Sequence, residues 1–147
     1  MILRSLTKGV KTTRVATAQA AGTTAVIGNS VDMSEFEAVR FIALLGALTA
    51  TQVTTLKAQG SADNATWVDL GPAHAGPAAD ADSGKSLILD LYRPTYRYIR
   101  PVVLRGTANA AVDAIIAEQH LCDGDPVAAD PSVSAQAVVP YVAAGTP

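Results

Sequence analysis

The run Lys57–Leu70 (KAQGSADNATWVDL), followed downstream by Tyr96–Val103 (YRYIRPVV), limits this chain more than any other feature. Side chains along a β-strand alternate between faces. From Thr51 to Gly60 that alternation puts Val53, Thr55, Lys57 and Gln59 on one face and Gln52, Thr54, Leu56 and Ala58 on the other. Asp63-Asn64 reads as a hairpin tip, and Thr66–Leu70 as the returning strand. An isolated hairpin is barely stable in water, so it needs further strands and a covered apolar face. The chain is thereby committed to stacked antiparallel sheets.

The rest of the sequence supplies those strands. Thr12–Thr17, Thr23–Ile27 and Val31–Met33 are short β-prone pieces, with Gly28-Asn29-Ser30 as a turn signal. Ser34–Leu45 is ambiguous: Ser34 and Glu37 fit a helix capping box, whereas Val39, Phe41, Ala43 and Leu45 alternate as a strand would. The alternation favours a strand. Residues 71–84, rich in Gly, Pro, Ala and Asp, read as a long loop. Ser86–Tyr92 carries Leu87, Leu89 and Leu91 on one side, and Tyr96–Arg105 is the longest clear strand. Ala110–Leu121 closes the set. Seven to nine strands with turns every ten or so residues predict an all-β antiparallel sandwich of the jelly-roll type. The expected organisation is an extended N-terminal arm over residues 1–11, a sandwich over 12–121 and an extended C-terminal tail over 122–147.

At 147 residues the chain is long enough for one domain with its own core. Only 16% of it is charged, against about a quarter in an average globular protein, so much of the surface is bland enough to be covered by another protein. The net charge of −2 creates no field for nucleic acid. The charges are nonetheless segregated. Arg4, Lys8, Lys11 and Arg14 precede the first acid, Asp32, and after Arg105 there are only acids: Asp113, Glu118, Asp123, Asp125 and Asp130. Such ends are either solvated or reach neighbouring subunits of opposite charge. Cys122 is the sole cysteine, which leaves no internal disulfide. The basic, threonine-rich start does not read as a secretion signal, and the longest apolar stretch, Phe41–Ala50, is far short of the roughly 20 residues that span a bilayer. The expectation is a soluble protein, neither secreted nor membrane-embedded.

No catalytic or cofactor constellation emerges. Ser83-Gly84-Lys85-Ser86 has the end of a phosphate loop, but Ala79 stands where its first glycine belongs and a strand follows. His74 and His120 lack partners at metal-ligand spacing. Cys122 with His120 has no orienting carboxylate. Asp80 and Asp82 are too few oxygens for calcium. No catalytic residue, metal or cofactor is therefore assigned. Trp67 is expected as the plug of the core, with a sugar-stacking platform as the alternative. Tyr92, Tyr96 and Tyr98 interleave with Arg93, Arg97, Arg100 and Arg105, the composition of an interface anchor. Alternation from Tyr96 puts Tyr96, Tyr98 and Arg100 on one face. The candidate partner-binding residues are Arg4, Lys8, Lys11, Arg14, Arg93, Tyr96 and Arg97.

Two resemblances extend this reading. GSADNATWVDL followed by YRYIRPVV resembles the hairpin and following strand of discoidin-like carbohydrate-binding sandwiches. Over residues 15–120, the segments GNSVDM (28–33), Phe36–Leu45, Val53–Ser61, LDLYRP (89–94), RYIR (97–100) and RGTANA (105–110) resemble small virion proteins of tailed-bacteriophage head modules. Those include jelly-roll cement, or decoration, proteins on the outside of the capsid. The second resemblance implies a structural, non-enzymatic protein made in the host cytoplasm and carried on the capsid exterior. Its implied partners are the major capsid protein and further copies of itself, as a homodimer or homotrimer, with neither nucleic acid nor membrane. A carbohydrate-binding module on a virion or fibre is the alternative, followed by a head–tail connector or tail component.

Overall fold

The computed structural model describes residues 5–122 and 127–137. Arg4, like Asp123 and Asp125, lies outside the described residues. After a single helical turn, Leu6–Gly9, the described residues form ten strands: β1 (Lys11–Ala16), β2 (Gln19–Gly22), β3 (Val26–Ile27), β4 (Val31–Asp32), β5 (Phe36–Leu48), β6 (Val53–Ser61), β7 (Val68–Ala75), β8 (Ser86–Tyr92), β9 (Tyr98–Gly106) and β10 (Ala110–Cys122). The order β1–β10–β5–β8 makes one sheet, with β2 also on β10; β3–β9–β6–β7 makes the other, with β4 also on β9. All the pairings are antiparallel.

Merging the split edges gives eight strand positions. First pairs with last (β1/β2 with β10), second with next-to-last (β3/β4 with β9), β5 with β8, and β6 with β7. This is a long antiparallel ribbon, folded at the β6–β7 hairpin and rolled into two facing sheets: a jelly roll. The core between them is built by alternation. Val39, Phe41 and Ala43 of β5 meet Leu56 and Ala58 of β6, Leu89 of β8, Ile99 and Val103 of β9, and Val112, Ile115 and Ala117 of β10. Each large side chain so buried contributes about 1.5–3 kcal/mol.

The strand expected over Ser34–Leu45 forms despite its capping-box signal: the Ser34 amide donates to Asp32 Oδ1 (2.9 Å) in a turn, and β5 follows. Other local expectations change. The arm is not wholly extended, since Leu6–Gly9 is helical. Residues 71–75 continue β7 rather than opening the loop, because Leu56 and Lys57 of β6 still pair with Ala75 and His74. The tail is not free over its described part. The Val127 amide donates to the Lys8 carbonyl (2.9 Å), and the Arg14 amide to Ser132 Oγ (3.0 Å).

Pro101 in a central strand is the least expected element, because proline cannot donate to a ladder. Its carbonyl accepts from the Gly28 amide at 2.9 Å, so its nitrogen faces the same side. That side is where the edge breaks between β3, which pairs with Val102, and β4, which pairs with Ile99. The missing donor therefore falls opposite the interruption. The interruption needs glycine: a Cβ at Gly28 would stand 2.7 Å from Pro101 Cγ.

Polar bonds tie the sheets along this side. Arg105 on β9 points inward and is only 8% exposed. It donates to the carbonyls of Thr24 (2.6 Å), Ala20 (2.8 Å) and Ala110 (2.7 Å), joining β9 to β2, to the β2–β3 crossover and to β10. The Asn29 amide reaches Val15 O on β1 (2.7 Å), and Gln119 Nε2 on β10 reaches Asp32 O on β4 (2.7 Å).

Two substitutions test these contacts by urea unfolding. Arg105→Ala leaves the buried Ala110 carbonyl without its donor, while the carbonyls of exposed Ala20 and Thr24 can turn to water, so a loss of about 1–3 kcal/mol is expected. A loss below about 1 kcal/mol would contradict the clamp. Gly28→Ala is expected to cost about 1–3 kcal/mol through overpacking against Pro101, and an unchanged midpoint would contradict that close approach.

Candidate functional site

The turn after β4, the start of β5 and the β8–β9 connection surround an open groove of about 500 Å³. Met33, Phe36 and Pro94 supply its apolar lining, and Glu37, Arg93, Tyr96 and Arg97 its polar groups. Three of the sequence-derived candidates, Arg93, Tyr96 and Arg97, thus meet in one place.

Their chemistry there is largely committed within the chain. Arg97 makes a bidentate pair with Asp32, Nε to Oδ1 at 3.1 Å and Nη2 to Oδ2 at 3.0 Å, and lies 5.1 Å from the Tyr98 ring centre. The guanidinium of Arg97 holds the Asp32 carboxyl below its ordinary value, helped by the Ser34 amide, and Asp32 in turn raises Arg97. Arg93 has a left-handed backbone (φ 51°). Its amide donates to Glu37 O at 2.7 Å, its Nη2 to Glu37 Oε2 at 3.4 Å, and its guanidinium lies 5.2 Å from the Tyr92 ring centre. Both arginines remain exposed.

Tyr96 corrects the expected face assignment. β9 begins at Tyr98, so Tyr96 lies before the strand and does not share the outward face of Tyr98 and Arg100. It is half-buried against the core, and a Cβ at Gly60 would collide with its ring. It is a floor of the groove rather than a projecting anchor.

The N-terminal candidates stand elsewhere. Lys8 is exposed on the helical turn. Lys11 lies 3.7 Å from Asp130, and Arg14 is exposed on β1, its Nε near Ala16 O. One basic residue of the arm thus meets an acid of its own chain's tail. Arg105, read with the surface arginines, is inside. The parity that buries Ile99 and Val103 also buries Arg105, and that was the signal for it.

Trp67 is not the core plug. It is half-buried on the outer face of the β6–β7–β9 sheet, with the Arg100 guanidinium 4.2 Å from its ring centre. Arg100 Nε donates to Gln59 Oε1 (2.9 Å), Gln59 Nε2 to Asp69 Oδ1 (2.7 Å), and Lys57 Nζ to Asp69 at 2.9–3.0 Å. Cross-strand register creates this ladder, since Gln59 sits opposite both Arg100 and Asp69. The core tolerates Trp67 outside because Phe41, Leu45, Leu56, Ile99 and Ile115 fill it.

The loop acids are used locally. Asp80 Oδ2 accepts from the Thr51 amide (2.8 Å), and Asp82 accepts from the Ala79 amide (2.8 Å) and Lys85 Nζ (2.8 Å). His120 Nε2 lies 3.6 Å from Asp90 Oδ1, and Cys122 is partly exposed. Among the described residues no group of three or more His, Cys, Asp or Glu is placed to hold a metal ion, and no helix is long and apolar enough to cross a membrane. No protein-family model matches the chain, and no curated protein does.

A titration tests the electrostatics of the groove. A lowered folded pKa makes the Asp32 contribution to stability present above the unfolded value of 3.8, and lost as pH falls through the lower folded value. Carbon-detected NMR is expected to give Asp32 a midpoint below ordinary carboxylates, and Arg97→Gln to raise it. A midpoint indifferent to that substitution would contradict the bidentate pair.

Proposed function

We propose that the chain is a structural virion protein: a jelly-roll cement, or decoration, protein that binds the major capsid protein on the exterior of an assembled tailed-bacteriophage shell. The observation that carries this reading is how the polar side chains are spent. In the groove they form ion pairs with one another, and on the sheet surface they form ladders. A surface of that kind suits burial against another protein, because its charges are compensated before docking and its apolar patches remain available. The resemblance of residues 15–120 to phage head proteins supplies the partner. Binding only the expanded shell stabilises that state by mass action, and contacts repeated around a closed particle add by avidity.

Arg93 and Arg97 at the groove, and Lys8 and Arg14 beside β1, are the residues assigned to shell contact. Their exposure and their separation into two patches support a protein that bridges two subunits.

The position of Trp67 favours one second reading, a carbohydrate-binding module on a virion or fibre. Its ring is half-exposed beside Gln59 and Asp69, although Arg100 occupies one approach to it.

Co-sedimentation of the purified chain with expanded and unexpanded shells tests the proposal. Saturable binding to expanded shells alone is expected. Deleting residues 1–10, which precede β1, should weaken that binding while the circular dichroism of the sandwich persists. Absence of binding to either shell, with Trp67 fluorescence responding to oligosaccharides, would replace the cement reading with the carbohydrate one.

A further inference from the structure

The sandwich has four sheet edges, and three are guarded. An unpaired strand edge invites another strand unless it is short, bulged, interrupted by proline or covered. At one edge, β3 and β4 are two residues each and separated by the Gly28 interruption. At another, β7 contains Pro72 and shifts register against β6 between Lys57 and Gln59. On the third, β1 shifts register at Arg14–Ala16 and is capped by the tail through Ser132.

Among the described residues β8 has none of these devices, its one guard being the charge of Asp90, whose carboxylate lies 3.6 Å from His120 Nε2. It is seven residues long, free of proline, and in unbroken register with β5 from Ser86 to Tyr92. The Leu45 amide bonds to Lys85 O (2.8 Å) and the Arg93 amide to Glu37 O (2.7 Å) at its two ends. Antiparallel alternation then directs the backbone groups of Leu87, Leu89 and Leu91 toward β5. Those of Ser86, Ile88, Asp90 and Tyr92 point out along the free edge. The preceding loop does not cover them, since its bonds run to Leu48, Thr51 and Gln52.

The side chains of this edge continue an apolar row. On the outer face, Ile88 of β8 lies opposite Ile42 of β5, and Ile42 opposite Ile116 of β10. Ile88 is 51% exposed. The one charge of β8, Asp90, lies opposite Arg40 and near His120.

We propose that β8 is a homodimer seam: two copies pair their β8 strands antiparallel about a two-fold axis, with Ile88 opposite Ile88 of the partner copy. That register runs the isoleucine row unbroken across both sheets and sets each Asp90 opposite a Ser86. Sliding to Asp90 opposite Asp90 sets like charges face to face, and the register between sets Ile88 against Asp90, so side-chain pairing selects the first. The seam does not rest on shell binding and is tested without shells.

Sedimentation equilibrium of the full chain at about 100 µM is expected to give a dimer, and Ile88→Lys a folded monomer by circular dichroism. In a Cys122→Ser background, Ile88→Cys should cross-link under mild oxidation, because facing Cα atoms in a hydrogen-bonded antiparallel pair are about 5.5 Å apart, within disulfide reach. Ser86→Cys should not, its symmetry mates being offset by roughly 14 Å. The cysteine pair decides the matter even if Ile88→Lys fails to fold. A monomeric wild-type chain, a dimer indifferent to Ile88→Lys, or equal cross-linking at Ser86 and Ile88 would overturn the seam.

Discussion

The guanidinium of Arg105 holds the roll closed. A jelly roll is a ribbon bent twice, and the bend between β2 and β3 has no strand ladder of its own to keep it. Arg105 supplies donors for that bend from β9 and reaches β10 at the same time. A buried cation is costly unless its hydrogen bonds are made, and here the acceptors are backbone carbonyls rather than a carboxylate. With Asn29 and Gln119 further along, one side of the sandwich is fastened from sheet to sheet by polar bonds. On the opposite side lie β7 and β8, and there the outward backbone groups of β8 have no ladder partner among the described residues. Closure on one flank and availability on the other are two consequences of one arrangement.

Much of the architecture was legible in the sequence because strand alternation is a direct record of burial. Parity alone grouped Gln52, Thr54, Leu56 and Ala58 on one face and the leucines of β8 on another, and the structure turns both groups inward. Over Ser34–Leu45 the alternation rightly outweighed the helix-start pattern of Ser34 and Glu37, and thirteen residues of β5 run between two partner strands. Failure arose where composition competed with tertiary context. Residues 71–75 look like loop from composition, but their backbone groups pair with β6.

The site was harder to read because charge alone does not say where a side chain points. Arg105 was grouped with surface arginines when its parity with Ile99 and Val103 already placed it inside. Tyr96 was carried onto β9 although Pro94 ends regularity before the strand begins. Trp67 was sent to the core on size, yet the hairpin tip holds it out, where Asp63 Oδ1 accepts from the Ala65 and Thr66 amides at 2.9 and 2.8 Å. Arg93, Tyr96 and Arg97 do converge, which their spacing around the Pro94 turn made visible. Their carboxylate partners, Asp32 and Glu37, lie too far away in sequence to be paired without the fold.

On the proposed reading the chain acts through shape and repetition rather than through a reactive centre, and its stoichiometry would record that role. The most direct test of the account is the ratio of this chain to major capsid protein in purified particles, measured by quantitative mass spectrometry. A fixed ratio matching a regular set of shell positions is the predicted result. A small ring's worth of copies, or none, would contradict it.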